Sequence, residues 1–133
     1  TTYVESWVGW CGRNADIVVD LGRDRDITTI SSDFLHQLGA WILLPKSVEY
    51  RTATDVQDCG ALENLPWKPF GRHEFAEDRD GQVKFVPAEV TRHDGSVKAR
   101  YIRIHVESLG LCPDWHYGVG YPAWFFLDEI NVH

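Results

Sequence analysis

The amino-acid sequence predicts an all-β domain, a jelly-roll β-sandwich of about eight mainly antiparallel strands. Apolar and polar residues alternate with a period of two in several separate segments. Clusters of Gly, Pro, Asn and Asp separate these segments, and no stretch shows the period of an amphipathic helix. The 133 residues suffice for one domain with its own core, so residues 1–133 are interpreted as a single domain.

The strands are predicted at residues 15–21, 27–35, 47–52, 82–90, 99–106 and 123–132. The first, third and fifth of these alternate apolar and polar residues, and the second is rich in β-branched residues. Gly22 is predicted to begin a polar turn between the first two strands. Pro87 indicates an edge strand, because proline cannot donate to a ladder. In the last strand Trp124, Phe126 and Ile130 share the face that we expect to be buried.

The segment 55–81 is irregular, and one or two further short strands are expected within it. The strongly apolar segments 15–21 and 123–132 are predicted to pair at the centre of the sandwich, which would bring the chain ends together. Trp7 and Trp124 are both predicted to be core residues, because they fall at strand-period positions.

The composition excludes several classes of partner. The net charge is -7 and the basic residues are scattered, so a nucleic-acid partner is not expected. No apolar run approaches the roughly 20 residues of a membrane span, so no membrane insertion is expected. The chain has no Met and starts at Thr1, which indicates a piece excised from a longer protein.

The three cysteines, Cys11, Cys59 and Cys112, do not suggest a disulfide scaffold, because their number is odd and no spacing repeats. Cys11 and Cys112 could meet, or all three could be reduced thiols. The spacing of Cys112 and His116 could suit zinc, but a structural zinc site needs four ligands.

No catalytic motif is evident in the sequence. Asp128 and Glu129 are the obvious paired carboxylates, but neighbours on a strand point to opposite faces. They could not both flank one glycosidic bond, as a glycoside hydrolase requires. The domain is therefore predicted not to be an enzyme.

Four motifs appear in a characteristic order: W-V-G-W at 7–10, D-I-V-V-D-L-G at 16–22, A-R-Y-I-R-I at 99–104 and F-L-D-E-I at 126–130. In this order they resemble the coagulation-factor type C, or discoidin, domain, whose group includes the family 32 carbohydrate-binding modules. The segments 34–45 and 110–124, the second containing C-P-D-W-H, are similar to the C-terminal domain of family 20 β-hexosaminidases of Bacteroidetes.

The resemblance implies a galactose-binding-like jelly roll that binds glycans, of N-acetylhexosamine or galactose type, with loops at one end. It implies a bacterial protein that is secreted, periplasmic or associated with the outer membrane. The domain would hold the catalytic domain of the same polypeptide near its glycans. Many relatives hold a structural calcium ion, for which Glu129 matches one ligand. The N-terminal loop that supplies the other ligands would precede Thr1, so the domain is expected to lack that loop.

Sugar rings stack on aromatic planes, and their hydroxyl groups need fixed polar partners. On this basis the candidates for sugar contact are His36, Gln37, Trp41, Asp114, Trp115, His116 and Tyr117. Trp10 and Tyr121 are further candidates at the same end. Alternatively, Trp41 and Trp115 pack the loop bases, and the aromatic-rich domain is a structural accessory that packs against the catalytic domain without binding sugar.

Overall fold

The computed structural model describes residues 8–54 and 64–133, with residues 8–11 as backbone only. Within these residues it contains eight strands and one short 3₁₀ helix, Leu38–Ala40. The strands are β1 (Val8–Cys11), β2 (Ala15–Ile27), β3 (Thr29–His36), β4 (Ser47–Ala53), β5 (Lys68–Glu74), β6 (Lys84–Thr91), β7 (Val97–Glu107) and β8 (Trp124–Val132). No helix in the described part of the chain has the length and apolar character needed to cross a membrane.

The strands form two antiparallel sheets with the orders β1-β8-β3-β6 and β2-β7-β4-β5. The first strand pairs with the eighth, the second with the seventh, the third with the sixth and the fourth with the fifth. The chain is thus one long hairpin wound into two packed sheets, which is the connectivity of a jelly roll. The predicted all-β sandwich is confirmed.

The core lies between the two sheets, where the inward residues of each strand meet. In β7 the predicted alternation is confirmed, since Ile102, Ile104 and Val106 are fully buried while His105 is exposed. Burial of each such side chain contributes about 1.5–3 kcal/mol. In β4 Tyr50 is also fully buried, and its hydroxyl group crosses the core to the other sheet.

The turn predicted at Gly22 is a bulge within one long strand. The β2–β7 register shifts between Asp20 and Arg25, and Gly22 adopts a φ of +85°, which favours glycine. An Asp20 carboxylate oxygen accepts a 2.8 Å hydrogen bond from the Gly22 N–H and a second from Arg100. These bonds, chiefly that from Arg100, hold the pKa of Asp20 below its usual range.

The predicted pairing of segments 15–21 and 123–132 is wrong, because β2 pairs with β7 in one sheet and β8 pairs with β1 and β3 in the other. Ser32 pairs with Ile130 and Phe34 with Leu127, so three steps along β8 match two along β3. The extra residue is a bulge, and it shifts which side chains face inward.

Because of this bulge, the residues of β8 that face the core are not all those predicted. Phe125 and Leu127 are buried, whereas Trp124 is 40% exposed and stacks on Phe126 outside the sandwich. Beyond the bulge Ile130 points inward, as predicted. Trp7 lies outside the described residues.

Two further expectations concern the sheet edges. The strand with Pro87, β6, lies at the edge of its sheet, as predicted. The irregular segment 55–81 contributes β5, the edge strand of the other sheet. The two edges lie close, since a Cβ added to Gly71 would be 2.3 Å from Val90 Cγ1.

The topology brings four connections to one end of the sandwich: residues 12–14, 37–46, 75–83 and 108–123. Each of these connections follows an odd-numbered strand. Because successive strands run in opposite directions, all four connections lie at the same end of the sandwich. We call this end the loop end.

Candidate functional site

Backbone hydrogen bonds join the connection 37–46 to Trp124, the first residue of β8, directly after the connection 108–123. The Leu43 N–H donates to the Trp124 carbonyl at 2.9 Å, and the Trp124 N–H donates to the Trp41 carbonyl at 3.0 Å. The sequence places the predicted sugar-binding residues in these two connections, and the structure brings the two connections into contact.

His116 links the same two connections through one ring nitrogen and bonds within its own connection through the other. Its Nδ1 accepts a 2.9 Å bond from the Gly118 N–H, so the proton of the neutral ring sits on Nε2. Nε2 donates that proton to the Leu38 carbonyl at 2.9 Å. His116 is buried, and its ring is committed to holding the loops together.

Trp41 lies in the connection 37–46 and packs against the connection 108–123. Its φ of +60° is uncommon for a residue other than glycine and costs on the order of 1 kcal/mol. The indole lies 6.4 Å from the His116 ring and 5.5 Å from the Tyr121 ring, centroid to centroid. A Cβ on Gly118 would lie 3.1 Å from Trp41, so this packing favours glycine there.

Tyr117 and Tyr121 expose their rings beside Trp41, at 67% and 61% respectively. The Tyr117 ring stacks on His116 at 4.4 Å, and its hydroxyl group donates to the Gly39 carbonyl at 2.8 Å. We call Trp41, His116, Tyr117 and Tyr121 the aromatic cluster. His116 is buried inside the loop end, whereas the rings of Tyr117 and Tyr121 are exposed on its surface.

Next to this cluster is a cavity of about 370 Å³. Its lining comes from the ends of strands and from the connections around them: His36, 43–46, Arg72, 74–78, Glu107, Leu109, Pro113 and Trp115. Binding sites for small molecules begin at about 300 Å³ and combine apolar walls with a few polar groups. The cavity meets both conditions.

Trp115 forms part of the cavity lining, and its orientation is determined by two neighbours. The indole N–H donates to the Glu77 carboxylate, and the Arg79 guanidinium lies 5.2 Å from the ring centroid. Arg79 and Glu77 also form an ion pair at 3.1 Å. The indole is half-buried and therefore remains partly accessible.

His36 lies at the end of β3 and is 1% exposed. Its Nε2 is 3.1 Å from the backbone carbonyl of Asp78, which ties β3 to the β5–β6 connection. The Asp78 carboxylate bonds Lys84 at 2.6 Å, and that hydrogen bond is the main cause that holds the pKa of Asp78 below its usual range.

The remaining cavity wall combines an aromatic contact with ion pairs. Phe75 packs edge-on against the core ring of Phe34 at 5.4 Å. Arg72 pairs with Glu74 at 3.3 Å and with Glu107 at 3.7 Å. Arg72, Glu74 and Glu107 therefore have ion-pair partners within the domain.

The structure separates the predicted sugar-binding residues into three groups. His36 and Trp115 line the cavity. Trp41, His116 and Tyr117 belong to the adjacent aromatic cluster, which lies outside the cavity lining. The third group, Gln37 and Asp114, does not line the cavity. Gln37 is half-buried and pairs through its backbone with residue 42, and Asp114 is exposed. The side chain of Trp10 lies outside the described residues.

The cavity also uses residues that the sequence did not indicate. Lys46, Arg72 and Glu107 are charged residues at strand ends, and residues 74–78 lie in and beside the β5–β6 connection. The available signal was F-A-E-D-R-D-G at 75–81, which mixes aromatic and charged residues before a turn glycine. Nothing in the sequence says that this segment lies beside 108–123.

In the described residues, no group of three or more His, Cys, Asp or Glu side chains is placed to hold a metal ion. His116 cannot serve a zinc site with Cys112, because both ring nitrogens are engaged. Glu129, predicted as a calcium ligand, lies at the β8 bulge opposite Asp33. Burial raises the pKa of Asp33, and the charges of Glu129 and Asp128 raise it further, so these carboxylates act as repelling neighbours.

A second, smaller concavity lies on the outer face of the β2-β7-β4-β5 sheet. It is lined by Asp16, Glu49, Arg51, Arg103 and His105. Arg103 bonds Asp16 through two nitrogens, at 2.9 and 2.8 Å, and Arg51 bonds Glu49 at 2.6 Å. The charged groups of this face satisfy one another, so the loop-end cavity is the better candidate site.

A scan against protein-family models finds no match for this chain, and a search of curated protein sequences finds none.

Proposed function

We propose that this domain binds carbohydrate without catalysing a reaction, in the loop-end cavity. The ligand would be of the N-acetylhexosamine or galactose type. The observation that carries the proposal is the cavity of about 370 Å³, in which the indole of Trp115 lies among polar groups from several connections. The volume is at the small end for ligand sites, which suits one or two sugar units.

The settings of Trp115 and His36 support this function physically. An indole offers a flat apolar surface to the apolar face of a pyranose ring, and ring contacts of this kind are geometrically specific. Glu77 and Arg79 already orient the indole, so little side-chain freedom would be lost on binding. His36 adds a buried polar group at the same cavity.

The carboxylates of the cavity favour binding over hydrolysis. A glycoside hydrolase needs a carboxyl group with a raised pKa as its general acid. Asp78 has the opposite setting, because Lys84 holds its pKa low. Glu74 and Glu107 are engaged with Arg72, and Glu77 is engaged with Arg79.

The proposal extends to the protein from which the domain comes. The jelly roll and the motif order both suit a type C, discoidin-like domain, with the loop end as its binding end. We propose that it is an accessory domain of a secreted or periplasmic bacterial glycoside hydrolase of the β-N-acetylhexosaminidase kind. In that role it would hold the catalytic domain near its glycans.

The test is a calorimetric titration of the domain with N-acetylglucosamine and with galactose. We expect a dissociation constant in the millimolar range, about 4 kcal/mol. Trp115→Ala should weaken binding by about tenfold or more, which is about 1.4 kcal/mol. Trp67→Ala is the matched control, because Trp67 is also half-buried with an arginine near its ring, at 5.9 Å, but does not line the cavity.

Two outcomes would refute the proposal. One is the absence of binding by either sugar at millimolar concentration. The other is equal loss of affinity in the Trp115→Ala and Trp67→Ala variants, which would mean that the cavity has no special part in binding.

A structural accessory role is the second candidate, and the exposed apolar surface of the segment 111–124 favours it. Leu111, Val119 and Trp124 are exposed there, together with the two tyrosines of the aromatic cluster. Patches of this kind often mark protein interfaces. In this case the isolated domain should self-associate, and Leu111→Ser with Val119→Ser should make it monomeric in sedimentation experiments. A monomeric wild-type domain that binds sugar would count against this role.

A further inference from the structure

The loop-end cavity has two chemically different sets of lining residues. The charged set lies at or beside the ends of the neighbouring strands β7, β4 and β5: Lys46, Arg72, Glu74 and Glu107. The partly accessible apolar set comes from the connections 75–83 and 108–123: Phe75, Leu109, Pro113 and Trp115. A ligand in this cavity would therefore meet both hydrogen-bonding groups and hydrocarbon.

The apolar set is the outer layer of two packed clusters. Phe75 packs against the main core, in edge contact with the Phe34 ring at 5.4 Å. Leu109 and Trp115 pack against a second buried cluster, at the loop end: Leu38, Leu43, Cys112 and Ala123. The Gly110 N–H donates to the Ser108 hydroxyl oxygen at 2.9 Å, which fixes the turn that carries Leu109. These contacts hold the apolar surface in place before a ligand arrives, so little ordering cost would fall on binding.

An unsubstituted hexose would use only part of this surface. Its apolar ring face can stack on the Trp115 indole, but the rim of its ring carries hydroxyl groups. The side chains of Phe75, Leu109 and Pro113 offer those hydroxyl groups no hydrogen-bond partner, and burial without a partner is unfavourable. An acyl substituent carries a methyl group, whose burial against hydrocarbon is favourable.

We propose that Phe75, Leu109 and Pro113 form a subsite for an acyl substituent of the bound sugar. This inference rests on the proposed function, and it makes N-acylated sugars the ligand class of the cavity. The charged set gives no such preference, because its cations donate hydrogen bonds and its carboxylates accept them, as the hydroxyl groups of any sugar require. The selection would therefore come from the apolar subsite.

The first test uses the wild-type domain and a series of sugars that differ at one carbon. N-acetylglucosamine should bind about tenfold more tightly than glucose, which has a hydroxyl group at that carbon. N-formylglucosamine keeps the amide and lacks only the methyl group, so it should bind about fourfold more weakly than N-acetylglucosamine. The same comparison is made in the galactose series, and the series that binds more tightly decides.

The second test compares two leucines of the same connection. Leu109 lines the cavity, whereas Leu111 is 57% exposed and does not line it, so Leu111→Ala is the matched control. Leu109→Ala should reduce the advantage of the acetyl over the formyl sugar to about twofold or less, and Leu111→Ala should keep it at about fourfold. Affinity for the unsubstituted sugar should stay within about twofold of the wild type in both variants. Thermal midpoints show whether each variant is folded.

The failure of this inference can be told from the failure of the proposed function. Equal affinity of the wild type for the acetyl and formyl sugars, or for the acetyl and unsubstituted sugars, overturns the inference while sugar binding stands. An undiminished acetyl advantage in a folded Leu109→Ala variant also overturns it. If the wild type binds no sugar of either series, the proposed function fails, and the inference fails with it.

Discussion

Removal of the Tyr50 hydroxyl group should destabilise the fold strongly, because this group joins the two sheets. Tyr50 belongs to β4, and its hydroxyl contacts Ser32 of β3 and Ala88 of β6 in the opposite sheet. It donates to the Ala88 carbonyl at 2.7 Å, since a carbonyl can only accept. Its single proton is then committed, so Ser32 must donate to the tyrosine oxygen.

The expected cost follows from the groups left behind. Tyr50→Phe leaves the buried Ser32 hydroxyl and the buried Ala88 carbonyl without this partner. An unsatisfied buried group costs about 1–3 kcal/mol. We expect a total loss of about 2–4 kcal/mol, because the serine hydroxyl can rotate to relieve part of the cost. For a domain of this size, that loss lowers the thermal midpoint by about 6–12 °C.

Urea unfolding, followed by circular dichroism, measures this loss directly. Tyr121→Phe is the control, because Tyr121 is exposed and its change should stay within about 0.5 kcal/mol. Ser32→Ala should cost about 1 kcal/mol alone, and less when Tyr50 is already Phe. A Tyr50→Phe loss no larger than that of the control, or strict additivity with Ser32→Ala, would refute the proposed link between the sheets.

Two further predictions concern other contacts of the sandwich. Gly71→Ala should cost about 1–3 kcal/mol of stability in urea unfolding, because the new methyl group would overlap Val90, and Val90→Ala should restore part of that loss. Asp33→Asn should stabilise the domain by about 0.5 kcal/mol near neutral pH, because burial, and then the charges of Glu129 and Asp128 across the β3–β8 ladder, disfavour the charged form of Asp33. The pKa of Asp33 is raised by folding, so its charge destabilises the fold above that pKa, and the gain should vanish at acidic pH where Asp33 is protonated in both states.

Each of these two predictions could be contradicted by the measured stability of its variant. A Gly71→Ala variant as stable as the wild type would show that the two sheet edges separate easily. If the gain of Asp33→Asn did not change with pH, the charge of Asp33 would not be its cause. Asp33→Ser serves as a further comparison, because it also removes the charge.

The period of two was enough to predict most of the fold. Ile102, Ile104 and Val106 alternate without interruption, and the structure buries all three. The segment 47–52 also alternates, and Tyr50 within it is buried, while Pro87 correctly indicated an edge strand. These features depend on local sequence, which explains why sequence alone indicates them.

Bulges explain where the sequence prediction was wrong. The extra residue of β8 reverses the inward and outward positions, so Trp124 lies outside although its spacing suggested the core. The bulge after Asp20 likewise carries β2 through a segment that resembled a turn. A bulge is determined by pairing with another strand, which a single strand's pattern does not contain.

The candidate site was only partly predictable for a similar reason. His36 and Trp115 were indicated by residue type and by the loop motifs, and both line the cavity. The segment 74–78 completes the cavity only because the jelly roll places four distant connections at one end. Residue types alone also do not distinguish His116, which is engaged on both nitrogens, from His36, which is engaged on one.

The most direct test of sugar binding in the cavity is an NMR titration of the wild-type domain with N-acetylglucosamine. The Trp115 indole N–H signal is identified by its absence in Trp115→Phe. We predict that this signal and the His36 ring signals shift together and saturate in the millimolar range, while the Trp67 indole signal stays constant. Shifts confined to the aromatic cluster, or no shift in the Trp115 and His36 signals, would contradict binding in the cavity.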